Sequence, residues 1–102
     1  MKPKREELPA LIHKLGSLMP GLRREFPVRS MAVFGSVARG ESTPESDLDI
    51  LVDVDPSIGL GFVTLAERLE KDLGRKVDLV SRRSLRPSLL KQIEPELVNV
   101  EA

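Results

Sequence analysis

The chain has no cysteine, tryptophan or tyrosine, and its only aromatic residues are Phe26, Phe34 and Phe62. The missing cysteine excludes disulfides and thiolate metal sites. Three scattered rings give no platform on which nucleic-acid bases could stack in succession. Net charge is missing too. Sixteen Lys and Arg balance sixteen Asp and Glu, so no overall field points to nucleic acid or to a membrane surface. No apolar run approaches the ~18 residues of a membrane span, and the opening MKPKREELP is charged, so neither a signal peptide nor a span is expected. A cytoplasmic protein is the natural expectation. The 102 residues, 40% of them hydrophobic, suit a single domain over residues 1–102. A domain of that size buries roughly two-thirds of the surface its unfolded chain exposes.

Leu8, Leu11, Ile12, Leu15, Leu18 and Met19 follow the spacing of an amphipathic helix starting near Glu6 to Leu8, with Pro9 in its first turn. Met19-Pro20-Gly21 should break it, leaving Leu22 to Phe26 for one further turn. Met31 to Phe34 reads as a short buried strand, followed by a short helix through Val37, Ala38 and Arg39 that Ser36 can cap. Glu41 to Glu45 is turn chemistry. Leu48 to Val54 is a second strand whose continuous apolar run implies a central position. Phe62, Leu65, Ala66, Leu69 and Leu73 outline a helix that Gly74 ends, and Val77, Leu79 and Val80 mark a third strand. Ser84 to Glu94 carries a last helix, and Leu97 to Val100 a terminal edge strand that offers an edge for homo- or hetero-oligomeric pairing. The unit from Leu48 to Val80 should be a right-handed parallel crossover, while the shorter first connection permits antiparallel pairing. The fold class is therefore α/β (α+β), a small mixed β-sheet with helices packed on it.

Asp47 and Asp49 alternate in an otherwise apolar run, which puts two anions on one side of a strand about 6–7 Å apart. On a half-buried face their repulsion costs about 2–3 kcal/mol. Either that face is wet, or a cation is expected there. Magnesium prefers carboxylate and phosphate oxygens, and two carboxylates on one face can hold one ion or share a pair. Asp53 and Asp55 share the parity but lie nearer the turn at Pro56, where capping explains them better. Asp78 interrupts Val77-Asp78-Leu79-Val80, on the strand that the crossover lays beside Asp47 and Asp49. It is a third acid able to complete a metal site and accept a proton, or else the partner of Arg75 or Lys76. Gly35-Ser36 follows a strand and opens a short helix, which is how phosphates are held and also how ordinary turns are made. Arg39 lies three residues beyond Ser36, on the same side of that helix, where a guanidinium neutralises phosphate or is simply solvated. Gly40 supplies the turn, and His13, on the polar side of the first helix, has no assigned role.

The combination of Gly35-Ser36, ten intervening residues, and Asp47-Leu48-Asp49 resembles the signature of the DNA polymerase beta-like nucleotidyltransferase superfamily. The surrounding FGSVARGESTPESDLDILV looks most like the minimal nucleotidyltransferases (MNT), whose chains are little more than the catalytic core. The resemblance implies that Gly35 and Ser36 hold the phosphates of ATP, and that Asp47 and Asp49 bind two Mg2+ ions. Asp78 matches the third acidic position, and Arg39 and Gly40 match the family's "ARG" run. The implied chemistry is metal-assisted attack of an acceptor hydroxyl on the α-phosphate, releasing pyrophosphate. With no tyrosine, self-modification at that side chain is excluded.

The core consumes the chain, so the acceptor is expected on another protein. Minimal nucleotidyltransferases are commonly paired with helical HEPN-domain proteins, as antitoxins that adenylylate the HEPN ribonuclease. The resemblance therefore implies an AMP-transferring antitoxin with a HEPN partner, and no direct contact with nucleic acid or membrane. The alternatives are an antitoxin that only masks its partner, and a small-molecule nucleotidyltransferase, which needs an additional acceptor-binding segment.

Overall fold

The computed structural model describes residues 7–43 and 45–100. The opening MKPKRE, Pro44 of the 41–45 turn, and the last two residues lie outside that description. The elements run α1 (Glu7–Glu25), β1 (Val28–Phe34), α2 (Gly35–Arg39), β2 (Leu48–Val54), α3 (Gly61–Leu73), β3 (Val77–Ser81), α4 (Pro87–Ile93) and β4 (Val98–Asn99), with short 3-10 turns at Pro56–Ile58, Arg82–Ser84 and Glu94–Glu96. The four strands form one sheet in the order β3-β2-β1-β4. β1 pairs antiparallel with β2 and with β4, whereas β2 and β3 are parallel across the α3 crossover. This is the small mixed sheet expected from the sequence.

Alternation along β2 sorts its side chains between two faces. Leu48, Ile50, Val52 and Val54 join Met31 and Val33 of β1 in the main core, beneath Leu15, Met19 and Leu22 of α1 and Leu65 and Leu69 of α3. Asp49, Leu51 and Asp53 take the opposite parity. α3 follows its apolar spacing and ends at Gly74, whose φ of 66° and N–H bond to the Glu70 carbonyl close the last turn.

α1 departs from expectation, because it continues through Pro20 to Glu25. A proline there removes one helical hydrogen bond and crowds the carbonyl of Gly16. The apolar stripe nevertheless extends past it: Leu15, Met19 and Leu22 are all buried on the same side, and that burial holds the helix together. β1 is also longer than its apolar run, starting at Val28 because Val28 pairs with Val54.

Two long-range ion pairs fix α1 to the rest. Arg68 of α3 donates to both carboxylate oxygens of Glu25 at 2.6 and 2.8 Å. At the other end, Glu7 accepts from Arg75 and, at 2.9 Å, from the buried Ser42 hydroxyl, while Arg75 also reaches the Ser46 carbonyl at 3.4 Å. Burial alone would raise the Glu7 pKa, but the hydrogen bonds from Arg75 and Ser42 and the charge of Arg75 outweigh it and hold the carboxyl below its usual value of 4.5. This cluster braces the loop that leads into Asp47.

A carboxylate with a depressed folded pKa contributes stability that is present above its unfolded pKa and lost as pH falls through the folded one. Glu7→Gln is therefore expected to lower stability by about 1 kcal/mol at pH 7 in urea unfolding. The gap to wild type should close as pH drops below the usual carboxylate value.

Candidate active site

The central position of β2 lets it be approached from both sides. In the antiparallel register Asp49 faces Phe34, the residue before Gly35, and in the parallel register it faces Asp78. Paired positions share a face of the sheet, so Asp49 and Asp78 point the same way. Asp47 lies immediately ahead of β2 and is exposed, Asp49 is half-buried, and Asp78 is exposed on β3. The three acids picked from the sequence thus meet at one corner of the sheet.

Gly35 closes the other side of that corner. Its φ is +76°, and a Cβ placed on it would stand 2.0 Å from Asp49 Oδ2. Only a residue without a side chain lets the backbone rest against this carboxylate. α2 then runs for just over one turn, from Gly35 to Arg39. Gly40, at φ 73°, ends it, with Gly40 N–H bonding to the Val37 carbonyl at 3.1 Å and Glu41 N–H to the Ser36 carbonyl at 2.8 Å. That pair of bonds is a Schellman closure, which explains the glycine at position 40.

Ser36 does not cap the helix as expected. The capping position is Phe34, which makes no side-chain capping bond, and Ser36 sits inside the first turn. The N–H of Gly35, the first residue of α2, donates to Glu96 Oε1 at 3.0 Å. The second oxygen of the same carboxylate accepts from the Arg39 guanidinium at 3.1 Å, and Arg39 Nε donates to Glu41 at 3.0 Å.

The electrostatics of the corner centre on Asp49. Burial raises its pKa above the usual carboxylate value, and the neighbouring Asp78 and Asp47 raise it further; Arg39 acts in the opposite direction. Arg75, a candidate partner for Asp78 on sequence grounds, is engaged instead by Glu7 and the Ser46 carbonyl. Asp55 is set apart at the far end of β2, where it accepts the Ser57 N–H at 2.9 Å and pairs with Arg29 at 3.0 Å, so capping accounts for it.

The donor set fits a hard divalent cation. Among the described residues no group of three His, Cys, Asp or Glu side chains is already arranged to hold a metal. Clustered carboxylates without a closed cage suit Mg2+, which keeps several waters and is bound through one or two carboxylates together with substrate phosphates. The raised pKa of Asp49 marks the same demand for positive charge. Two surface concavities, of about 610 and 460 Å3, lie elsewhere, one along Ser84 to Gln92 and one between Val54, Phe62 and Arg83. The aspartates line neither of them.

Glu96, Glu7 and Ser42 were not among the residues selected from the sequence, and Arg75 was named there only as a partner for Asp78. No local signal marks Glu96, which sits in IEPELVNV and meets Gly35 across 61 residues.

Gly35→Ala is expected to lose about 2–4 kcal/mol, from the left-handed backbone and the clash with Asp49 together, as read by urea unfolding. A carboxyl whose folded pKa is raised makes stability fall as pH rises through that value. Asp49→Asn should accordingly raise the melting temperature at pH 7 without divalent cations, and this gain should vanish in acid, where the wild-type carboxyl is protonated.

Residues 15–100 match the nucleotidyltransferase domain family. The protein adenylyltransferase MntA of Thermococcus cleftensis is 48% identical over 81 residues, covering 78% of this chain and 81% of the relative. A solved toxin–antitoxin structure with AMP-PNP superposes with a TM-score of 0.71 at 28% identity, over 87% of this chain and 71% of that one. A complex of a tri-AMPylated Shewanella oneidensis HEPN toxin with an MNT antitoxin gives a TM-score of 0.63 at 26% identity, over 85% and 68%. The mixed sheet, the signature residues gathered at its corner and these matches lead to one conclusion: the chain belongs to the minimal nucleotidyltransferases of the nucleotidyltransferase domain family and is an enzyme.

Proposed function

We propose that this enzyme transfers AMP from ATP to a hydroxyl group of a partner protein in the cytoplasm, and that the partner is a helical HEPN-domain toxin which the transfer neutralises. The observation that carries the reading is the meeting of Asp47, Asp49 and Asp78 at the sheet corner that Gly35 closes. The whole chain would serve as one catalytic domain, residues 1–102. The names of the relatives support AMP transfer and a toxin–antitoxin setting. The exposure of Asp47 and Asp78 leaves room at the corner for a macromolecular acceptor.

In this reading Asp47 and Asp49 hold Mg2+, two ions when the site is fully loaded, with Asp78 completing the ligand set. Bound there, magnesium would supply charge to lower the pKa of the acceptor hydroxyl and to stabilise the entering and leaving oxygens. The protein's own groups do the rest. Gly35, with no side chain, lets the triphosphate approach and with Ser36, which offers its hydroxyl, holds the phosphates; Gly40 shapes their turn, and Arg39 offsets the phosphate charge. Asp78 takes the proton of the acceptor hydroxyl as its oxygen bonds to the α-phosphorus. The bond from that phosphorus to the β-bridging oxygen breaks, and pyrophosphate leaves.

Incubated with ATP, magnesium and its co-purified helical partner, the protein is expected to add AMP mass to the partner, read by intact-mass spectrometry. Asp47→Asn and Asp49→Asn should each slow transfer by on the order of a hundredfold or more, and chelation by EDTA should stop it. Wild type should also gain thermal stability from Mg·ATP, a gain the double variant lacks. Full neutralisation of the partner by that double variant would instead identify masking as the mode of action.

A further inference from the structure

We infer that Glu96 is a positioning residue of the nucleotide site, acting through Gly35 and Arg39; this rests on the reading of that corner as the place where ATP binds. Glu96 ends the 3-10 turn Glu94–Glu96, three residues before the end of β4. β4 is tied to β1 through Ala32↔Asn99 and Val33↔Val98, and Val100 N–H adds a 2.9 Å bond to the Met31 carbonyl. The short edge strand therefore delivers the Glu96 carboxylate to the start of α2.

Its two oxygens have different tasks. Oε1 accepts the Gly35 N–H at 3.0 Å, and Oε2 accepts from Arg39 at 3.1 Å. Gly35 is the residue whose backbone rests against Asp49, so pinning its N–H fixes the wall of the acid cluster. Arg39 has two acidic partners, and they are unequal: the Glu96 side chain is 24% exposed and the Glu41 side chain 66%. Glu41 makes the shorter bond, at 3.0 Å, but solvent screens it more than the sheltered bond to Glu96. A carboxylate suits the place because it is acceptor-only at both oxygens. Glutamine can satisfy Gly35 with its carbonyl oxygen but must turn an NH2 group towards Arg39, and alanine satisfies neither.

The test pairs two readouts, Mg·ATP affinity by isothermal titration and hydrogen exchange at the Gly35 amide. Glu96→Gln should weaken Mg·ATP binding about tenfold while Gly35 stays protected, and Glu96→Ala should weaken it at least as much and also expose the Gly35 amide. In an Arg39→Ala background Glu96→Gln should have no further effect, because it acts through that arginine. Glu41→Gln should stay within about twofold of wild type. Tighter Mg·ATP binding by Glu96→Gln would overturn the inference, since Glu96 would then compete with phosphate. So would unchanged affinity in both Glu96 variants beside a wild type that binds. Failure of the wild type itself to bind Mg·ATP overturns the nucleotide-site reading, and this inference with it, while Gly35 exchange still reports separately on the hydrogen bond.

Discussion

The half-buried carboxylate of Asp49 is the constraint around which this small fold is arranged. A carboxylate on a central strand is flanked by a neighbouring strand on each side. β1 arrives antiparallel and brings Gly35 against the carboxylate, while β3 arrives parallel and brings Asp78. An all-antiparallel or all-parallel sheet of these strands would change one of those approaches. The mixed topology is thus tied to the chemistry of the corner. It also leaves the helices α1 and α3 to build the core on the other parity of the sheet, away from the acids.

Charge at the corner is arranged in two halves. Asp47 and Asp78 raise the cost of ionising Asp49, and Arg39, a cation that opposes them, is itself held by Glu41 and Glu96. The corner is therefore acidic in excess even though the chain as a whole is neutral. Such an excess is unfavourable in the empty protein and becomes favourable only when cations arrive. That is the reason stability and function should oppose each other at Asp49. A residue selected for folding alone would be neutral there.

Much of this was legible in the sequence wherever a strong local pattern met a simple rule. The apolar run of β2 announced a central strand, the spacing of Phe62 to Leu73 announced α3 and its glycine stop, and the length between β2 and β3 required a parallel crossover. Those three together predict that Asp78 lies beside Asp49. Local rules failed where burial overrode them. Pro20 should have ended α1, but Met19 and Leu22 on one buried stripe carry the helix through. Ser36 has the composition of a cap, yet the helix begins one residue before it and leaves it inside the first turn. Contacts between residues distant in sequence left no local trace at all. Glu96 reaches Gly35 across 61 positions, and Arg75 reaches Glu7 across 68.

Those two distant contacts have the same physical form. In each, a partly buried glutamate uses both oxygens to tie an arginine to a second polar group, Ser42 for Glu7 and the Gly35 N–H for Glu96. One glutamate steadies the loop that enters Asp47, and the other steadies the turn that walls Asp49. A corner made of mutually repelling acids does not hold its own shape, because repulsion drives its members apart. Rigid placement must come from attractive pairs just outside it, where opposite charges can be matched without lowering the demand for a cation within. The two glutamates, neither of which belongs to the recognisable signature, make those attractive pairs beside Asp47 and Asp49.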